Sequence, residues 1–397
     1  MSEHFPAIMV NGARQVGKST LLKHLLPSAD HITFDATVDI NNARHDPDLF
    51  INGLKLPTIL DEIQFAPEVL SSIKRKIDQH KKAGLYFLTG SQNFAVMRHV
   101  SESLAGRIAI LTLNPLSLSE LVGRSYCWVN DFLQDPMTFL TKKSVPLLND
   151  YPSSLLELLW RGMYPGLVTM PGDLIQDSLD SYFKTYVERD VRIISDISNL
   201  QEFSRFTALL SNFTGQEINY SQLGRDINIT PQTAKRWVDI LISSYQWISI
   251  PAYSSNTIKR ISNKPKGYMS DTGMACYLMH IGSIESLRSH PKLGAIFESF
   301  VVQDILKQLV IAEGKPSVYH WRAHSGAEVD LIIEVNNQYF PIEIKYKSHP
   351  TKKDARGIQA FKETYPKLNV GPGIIVAPSE SIYAVAKDCY VVPVDCS

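Results

Sequence analysis

With 397 residues, the chain is long enough for two or three domains, each with its own hydrophobic core. Lysine plus arginine and aspartate plus glutamate each number 40, so the net charge is zero and any contact with nucleic acid must use a local patch. A basic segment followed by an apolar core is missing at the start, and no apolar stretch reaches membrane-spanning length, which predicts a cytoplasmic protein without membrane contact. The four cysteines lack the spacing of a disulfide framework or a zinc site, and we expect reduced thiols.

A phosphate-binding loop follows the first predicted strand, the apolar run 7–10. Residues 12–20 match the pattern G-x-x-x-x-G-K-[ST]. In such a loop the glycines let backbone N–H groups surround phosphate oxygens, Lys18 neutralises the β- and γ-phosphates, and the Ser19 hydroxyl binds Mg²⁺. A helix that begins here aims its positive end at the phosphates. The predicted nucleotide site comprises Gly12, Ala13, Arg14, Gln15, Val16, Gly17, Lys18, Ser19 and Thr20.

Two carboxylates end the apolar strand predicted at 57–60. We expect Asp61 to hold magnesium together with Ser19, and Glu62 to be the base that polarises the attacking water. An Asp-Glu pair is also common at an exposed strand end, and its position downstream of a phosphate loop is what favours the catalytic role.

Two further polar positions adjoin predicted strands. After the strand 85–88, Ser91 is a candidate to sense the γ-phosphate, although the polar run 91–93 could equally cap the next helix. Arg107 precedes the strand 108–113 and could stabilise the transition state, either in its own chain or from a neighbouring subunit of a homo-oligomer. The alternative for Arg107 is an ordinary surface cation.

The predicted strands of the first section alternate with helical stretches, which is typical of a parallel sheet with crossover helices. The section that follows carries helical patterns without strand periodicity and is predicted to be a lid or connector. At its end Arg189 and Arg192 flank Asp190. This charge pattern could reach a nucleotide of the same or an adjacent subunit, or be a solvated helix face. The predicted strands are 7–10, 31–34, 57–60, 85–88 and 108–113.

Three helical patterns between 203 and 242, followed by the strand 247–250, predict a winged helix-turn-helix. Pro231 is placed where the start of a helix tolerates proline. The polar N-terminal residues of such a helix can reach base edges in the major groove while its cations meet phosphates. The alternative is a module for packing or protein contact. The candidate DNA contacts are Gln232, Thr233, Lys235 and Arg236.

The last section contains a second group of chemically informative residues. Asp330 opens one predicted strand, and Glu343 and Lys345 share a face of the next. Two carboxylates there could hold a second divalent metal, and the lysine could stabilise a pentacoordinate phosphate. Glu298 and Gln359 could complete the site from helices. The alternative is a fold that keeps these residues as buried polar partners without cleaving anything.

The ordered motifs of the chain resemble a prokaryotic family of predicted AAA+-like ATPases whose C-terminal half is similar to a winged helix joined to a PD-(D/E)xK nuclease-like domain. The resemblance implies ATP as the nucleotide, Lys18, Ser19, Asp61 and Glu62 as site residues, and Arg107 as an arginine-box member. Only six residues precede the first strand, so the N-terminal helix usual in such proteins, a candidate for contact with the adenine, is expected to be missing. The motifs lie at 12–20, 59–64, 89–91, 103–107, 182–192, 264–268, 271–273, 328–330 and 343–345.

The expected fold class is therefore α/β, in four parts. They are a P-loop NTPase (AAA+-like) core at 1–127, a helical connector at 128–200, a winged helix at 201–270 and a restriction-endonuclease-like domain at 271–397. Two functions fit this organisation: an ATP-driven switch acting on DNA, with a metal-dependent nuclease domain, or a nucleotide-dependent regulatory or scaffolding protein with an inactive nuclease-like domain. A small-molecule kinase is disfavoured because no acceptor pocket is evident.

Overall fold

The computed structural model describes residues 1–80, 82–90, 103–142, 147–191, 199–256, 260 and 263–396, with the backbone alone at 149–150 and 188–190. Its N-terminal part is a strand-helix alternation. The strands are β1 (Ala7–Asn11), β2 (Asp30–Thr33), β3 (Thr58–Asp61), β4 (Tyr86–Gly90) and β5 (Ile108–Thr112). The helices are α1 (Lys18–Leu25), α2 (Pro47–Asn52) and α3 (Val69–His80), with 3-10 turns at Ile40–Asn42 and Ile63–Phe65.

Within the described residues these strands form a five-stranded parallel sheet in the order β2-β3-β4-β1-β5. Separate apolar clusters cover its two faces, as expected for a parallel sheet with crossover helices. The predicted strands differ from the observed ones by at most two residues at either end. Because all five strands run the same way, the phosphate loop, Asp61 and the end of β4 converge on one edge of the sheet.

A helical section follows, and no strand occurs in its described residues, as predicted. It packs around a large apolar cluster that also contains Ala13 and Val16 of the phosphate loop, so the loop is fixed against this section. The helices are α4 (Leu118–Leu121), α5 (Trp128–Gln134), α6 (Pro136–Thr141), α7 (Leu155–Arg161), α8 (Pro165–Val168) and α9 (Ile175–Thr185), with 3-10 turns at Leu147–Asp150 and Gly172–Leu174 and a π-helix at Tyr186–Val191.

Residues 200–269, called the 200–269 module below, combine helices with a small antiparallel sheet. The elements are α10 (Leu200–Ser211), β6 (Gln216–Glu217), α11 (Tyr220–Ile227), α12 (Pro231–Ser243), β7 (Trp247–Ile250) and β8 (Lys266–Met269). In the described part the strand order is β6-β8-β7. Thr230 caps α12 by accepting the Thr233 N–H at 3.1 Å, and Pro231 occupies the first turn, as expected.

The C-terminal domain is built on a mixed sheet that, in the described part, has six strands in the order β13-β14-β12-β11-β10-β9. The helices are α13 (Thr272–Leu278), α14 (Ile284–Arg288), α15 (Leu293–Leu309) and α16 (Arg356–Thr364), with a 3-10 turn at Lys352–Ala355. The strands are β9 (Ser317–Arg322), β10 (Glu328–Val335), β11 (Gln338–Ile344), β12 (Gly373–Ala377), β13 (Tyr383–Ala386) and β14 (Cys389–Pro393). None of the helices in the described ranges is both long and apolar enough to cross a membrane.

Helix α15 connects the C-terminal domain to the N-terminal part of the chain. Asp304 accepts the Leu118 N–H at 2.9 Å, and the Lys307 ammonium donates to the Leu116 carbonyl at 2.8 Å. Both partners lie in the segment that follows β5. This segment begins beside the phosphate loop, because the Leu113 N–H donates to the carbonyl of Asn11 at 2.8 Å.

Candidate nucleotide site and a buried ion cluster

The phosphate loop has the backbone shape that its glycines allow. Gly12 has φ +144°, and a Cβ there would lie 2.2 Å from the Leu113 carbonyl oxygen. Gly17 directly precedes α1 and has φ +95°, a backbone conformation that favours glycine. The Lys18 ammonium is buried and donates to the carbonyls of Gly12 at 3.0 Å and Ala13 at 2.7 Å. The cation and the positive end of a helix are therefore held at one point.

Beside the loop, oxygen ligands for a hard cation come together. The Ser19 hydroxyl donates to Asp61 Oδ1 at 2.7 Å, and the Thr89 hydroxyl donates to the same oxygen. His31 Nε2 lies 3.4 Å from Asp61 Oδ2. Mg²⁺ prefers carboxylate and hydroxyl oxygens, so the Ser19 and Asp61 oxygens fit the ion that the sequence predicts here.

Glu62 is fixed in an uncommon backbone conformation. Its φ and ψ are 59° and 47°, in the left-handed region, and its N–H donates to the Thr89 hydroxyl at 3.1 Å. Gln64 donates to its carboxylate. A non-glycine residue in this region costs about 1–3 kcal/mol and is found mainly where the surrounding structure enforces it, often at functional sites. The surrounding contacts therefore hold Glu62 in this conformation beside the phosphate loop.

These residues surround a cavity of about 290 Å³ whose far wall comes from the helical section. Tyr182 and Thr185, one turn apart on α9, form that wall. Sequence reasoning did not assign them to the site, nor Thr89, although 182 begins one of the resembling motifs. Among the described residues, those that line the cavity are Arg14, Gln15, Gly17, Lys18, Ser19, Thr20, Glu62, Tyr182 and Thr185.

Arg107 lies at the opposite edge of the sheet. Its carbonyl accepts the Ala7 N–H at 3.2 Å, at the start of β1, whereas the phosphate loop follows the end of that strand. Its guanidinium binds both carboxylate oxygens of Asp78, at 2.6 and 3.1 Å. The length of β1, about 13 Å, separates Arg107 from its own phosphate loop. In this conformation Arg107 does not reach the phosphate loop of its own chain. A role toward a neighbouring subunit stays a prediction, and the pair with Asp78 also suits the alternative of a surface cation.

Three other candidates fall on residues that the structure does not describe. Ser91 and Arg192 lie outside the described residues, and at Arg189 only the backbone is described. The predicted roles of Ser91 toward the γ-phosphate and of the two arginines toward a nucleotide remain expectations from the sequence.

In the C-terminal domain the predicted carboxylates do come together, but around ammonium groups. The Lys266 ammonium lies 2.6 Å from Glu298 Oε1 and 2.8 Å from Asp330 Oδ1. The Lys345 ammonium lies 2.5 Å from Glu343 Oε1 and 3.8 Å from Asp330 Oδ2. Lys266, Asp330 and Glu343 are buried, Glu298 is mostly buried, and Lys345 is partly exposed. We call these five residues the ion cluster.

The structure thus differs from the predicted second metal site. Lys266, on β8 of the 200–269 module, bridges two of the carboxylates, and Lys345 pairs with Glu343 rather than facing an open position. In the described part of the chain, no group of three or more histidine, cysteine, aspartate or glutamate side chains is arranged to hold a metal ion. Nor does a hydrogen bond join Gln359 to the cluster among these residues. Sequence reasoning gave Lys266 no role, although it lies in the motif 264–268, because its partners lie far along the chain.

The charges of the ion cluster do not balance. Three carboxylates face two ammonium groups, which leaves one negative charge in excess. Burial, together with the charge of Asp330 and against the opposing effect of Lys266, raises the pKa of Glu298 to about 7. Burial also raises the pKa of Glu343 well above its ordinary value. For Asp330 burial is outweighed by Lys266 and Lys345, so its pKa is lowered. One proton, on either glutamate, would balance the excess charge.

The candidate DNA contacts lie on one surface of α12. Gln232, Lys235 and Arg236 are exposed, while Ala234 and Trp237 are buried beneath them. Thr233 differs because it is half-buried and its N–H and hydroxyl are both bonded to Thr230 in the helix cap. Three of the four predicted side chains are therefore available for contact.

Comparison with known families divides the chain into three matched parts. Residues 4–122 match the model described as AAA domain, which supports an AAA-type P-loop ATPase-like domain in the N-terminal part. Residues 153–285 match a domain of unknown function (DUF8612), and residues 293–397 match a second one (DUF4143).

Two relatives match this chain over nearly its whole length, and neither has a described function. The chain is 27% identical over 395 residues to the Uncharacterized protein Rv2008c of Mycobacterium tuberculosis, covering 98% of this chain and 80% of that protein. Mycobacterium bovis has a match of the same extent, Uncharacterized protein Mb2031c.

Among solved structures, the Walker-type ATPase PABY2304 of Pyrococcus abyssi is similar at 17% identity and TM-score 0.39, covering 70% of this chain and 91% of that one. A RuvB variant of Thermotoga maritima is similar at 15% identity and TM-score 0.29, covering 65% of this chain and 87% of that one. Because both TM-scores are low, the assignment of the N-terminal domain rests on the family model and on the geometry of the phosphate loop.

Proposed function

We propose that this protein is a Mg²⁺-dependent ATP hydrolase whose nucleotide state controls a DNA-binding C-terminal half. The observation that carries the hydrolase proposal is the Ser19–Asp61 pair beside Lys18 and the phosphate loop. A divalent cation held by these oxygens would neutralise charge on the β- and γ-phosphates. This arrangement suits phosphoryl transfer, in which positioning and charge stabilisation supply most of the catalysis.

The chain's own residues have distinct tasks in this reaction. Lys18 exchanges its two loop carbonyls for phosphate oxygens, which are stronger acceptors because they are charged. Glu62 accepts a proton from the attacking water, and its bond from Gln64 holds the carboxylate in place. Thr89 links the Asp61 carboxylate to the backbone of Glu62, since its hydroxyl donates to Asp61 and accepts the Glu62 N–H. Arg107 would act on the nucleotide of an adjacent subunit in a homo-oligomer, which we propose forms in the cytoplasm.

For the 200–269 module, we propose a winged helix that contacts DNA through α12. The order of helices and strands and the exposure of Gln232, Lys235 and Arg236 support this assignment. The two cations would meet phosphates, and Gln232 near the start of the helix is suited to a base edge.

For the C-terminal domain, the ion cluster favours a nuclease-like fold that binds without cleaving. A nuclease would need its carboxylates for a divalent ion, and Lys266 and Lys345 already neutralise them in part. The gathering of Asp330, Glu343 and Lys345 at one sheet edge keeps metal-dependent cleavage as the second candidate. That activity would require Lys266 to leave.

The test is an ATPase assay with and without single- and double-stranded DNA, using Lys18→Ala and Glu62→Gln. Lys18→Ala should weaken ATP binding by at least about tenfold, because a charge-assisted contact worth about 1.5–3 kcal/mol is lost. Glu62→Gln should bind ATP normally but turn over roughly 10²–10⁴-fold more slowly. Lys23→Ala, an exposed lysine on the same helix, is the matched control and should do neither. Normal turnover by Glu62→Gln would place the base elsewhere.

A further inference from the structure

Two tyrosines of α9 and its extension connect the nucleotide cavity with the 200–269 module. Tyr182 is buried, lines the cavity opposite the phosphate loop, and its hydroxyl accepts a hydrogen bond from Gln246 Nε2 at 3.1 Å. One turn further on, the Tyr186 hydroxyl is bonded to the Ser244 hydroxyl at 2.7 Å. Tyr186 does not belong to the cavity wall.

Gln246 is the point where this connection enters the module. It is buried between the end of α12 and the start of β7. Its backbone N–H donates to the Leu241 carbonyl at 2.8 Å, and its backbone carbonyl accepts the Ser270 N–H at 3.1 Å. Its side chain also donates to the Ser244 carbonyl at 3.4 Å, at the residue that ends α12. Any displacement of Gln246 therefore shifts the C-terminal end of α12 relative to the small sheet.

The polar groups along this path are buried. The rings of Tyr182 and Tyr164 are in tilted contact with centroids 5.2 Å apart, and their hydroxyls lie 3.2 Å apart in the interior. A buried hydroxyl or amide that loses its partner costs about 1–3 kcal/mol. Separating Tyr182 from Gln246 would break the buried hydrogen bond between them, so the two side chains should move together.

We infer that Tyr182 is the residue through which bound nucleotide is sensed and reported to α12. Its ring is the wall that a nucleotide in the cavity contacts, and its hydroxyl holds Gln246, so a change in ring position is passed directly to the end of α12. Thr185 shares the wall, but its hydroxyl bonds its own helix at the Ser181 carbonyl and takes no part in the transfer. This inference rests on the proposed nucleotide site.

The experiment measures amide hydrogen exchange of residues 231–250 in the full chain, with and without a non-hydrolysable ATP analogue and Mg²⁺. In the wild type, the analogue should change exchange in this segment by about fivefold or more, the lower end of typical coupling between sites. Tyr182→Phe keeps the ring but removes the hydroxyl, and Gln246→Met breaks the same bond from the other side. Both should lose the response at analogue concentrations that saturate each variant, as checked by calorimetry. Gln246 does not line the cavity, so Gln246→Met should bind the analogue with the affinity of the wild type.

Tyr186→Phe is the matched control, since it removes a bond to the same module from a residue outside the cavity wall. It should keep the response. A wild type that binds the analogue without any change in 231–250, or a Tyr186→Phe variant that loses the response equally, would overturn the inference. Absence of analogue binding to the wild type would instead refute the proposed nucleotide site, so the two failures are distinguishable by calorimetry.

Discussion

Replacing Lys266 by methionine tests the ion cluster most directly. Methionine keeps a long unbranched side chain but removes the ammonium that lies 2.6 Å from Glu298 and 2.8 Å from Asp330. Removing one partner of a buried ion pair typically costs about 3–5 kcal/mol, because the remaining charge is left uncompensated. The Lys266 side chain is only 8% exposed, so solvent gives little relief. We therefore expect Lys266→Met to lower the free energy of unfolding by an amount near this range.

The same variant should acquire a response to divalent cations. With the ammonium removed, Mn²⁺ or Mg²⁺ can take its place between the two carboxylates, and at a concentration of about 100 times the Kd this would restore about 2.7 kcal/mol. The wild type should gain nothing at the ion cluster, because its own lysine already occupies that position. The measurement is chemical denaturation of the full chain with metal or with EDTA, without nucleotide.

Two variants separate this effect from general damage. Lys264→Met removes an exposed lysine two residues earlier and should leave both stability and metal response unchanged. The double variant Lys266→Met/Asp330→Asn removes charge on both sides, and should recover part of the lost stability but respond little to metal. A Lys266→Met protein as stable as the wild type, or one that is destabilised but indifferent to metal, would refute the reasoning.

Three further predictions concern the other sites. If Arg107 acts on the nucleotide of a neighbouring subunit, ATPase activity per subunit should rise with protein concentration. Mixing Arg107→Ala with Lys18→Ala subunits should then restore activity. A rate that is independent of concentration, without complementation, would contradict this role. Lys235→Ala/Arg236→Ala should weaken DNA binding and lower the slope of log affinity against log salt concentration by about two. Arg205→Ala, which removes an exposed cation on α10, should change neither quantity. Equal loss of affinity in both proteins would argue against contact through α12. The pKa of Glu298 rises from 4.5 to about 7 on folding, so the folded state binds the proton more tightly and its contribution to stability is lost as pH increases through this window. Glu298→Gln should remove up to about 3 kcal/mol of the change in unfolding free energy between about pH 5 and pH 8, and an unchanged pH profile would exclude Glu298 as the titrating group.

The parts of the fold that depend on local pattern were predictable from the sequence. The apolar runs that precede the phosphate loop and Asp61 form strands that lie in parallel, and parallel strands bring their carboxyl ends to one edge. The same reasoning places Ser19 and Asp61 together, and their side chains are hydrogen-bonded. The start of α12 follows from Thr230 as cap and Pro231 in the first turn.

What the sequence did not reveal are contacts between elements distant in the chain. Lys266 and Asp330 are 64 residues apart, and neither β8 nor β10 carries a local signal that names its partner. Tyr182 lies on an amphipathic helix whose pattern shows which face is buried but not that this face closes a nucleotide cavity. For Arg107 the sequence pattern showed that the residue precedes β5. It did not show that this position lies at the edge of the sheet opposite the phosphate loop.

The free energies of these interactions also limit how the C-terminal half can respond to nucleotide. Two connections reach it from the phosphate loop, one through Tyr182 and Gln246 and the other through the segment after β5 that α15 holds with Asp304 and Lys307. Both lead to elements that the ion cluster joins, since β8 carries Lys266 and α15 carries Glu298.

Coupling between sites is typically about 1–3 kcal/mol, whereas separating a buried ion pair costs about 3–5 kcal/mol. A ligand shifts an equilibrium only by its differential affinity for the two states. Nucleotide binding alone is therefore too weak to pull Lys266 away from its carboxylates. Strand β8 and helix α15 should therefore stay joined during the ATP cycle, with Lys266 kept between Glu298 and Asp330 throughout.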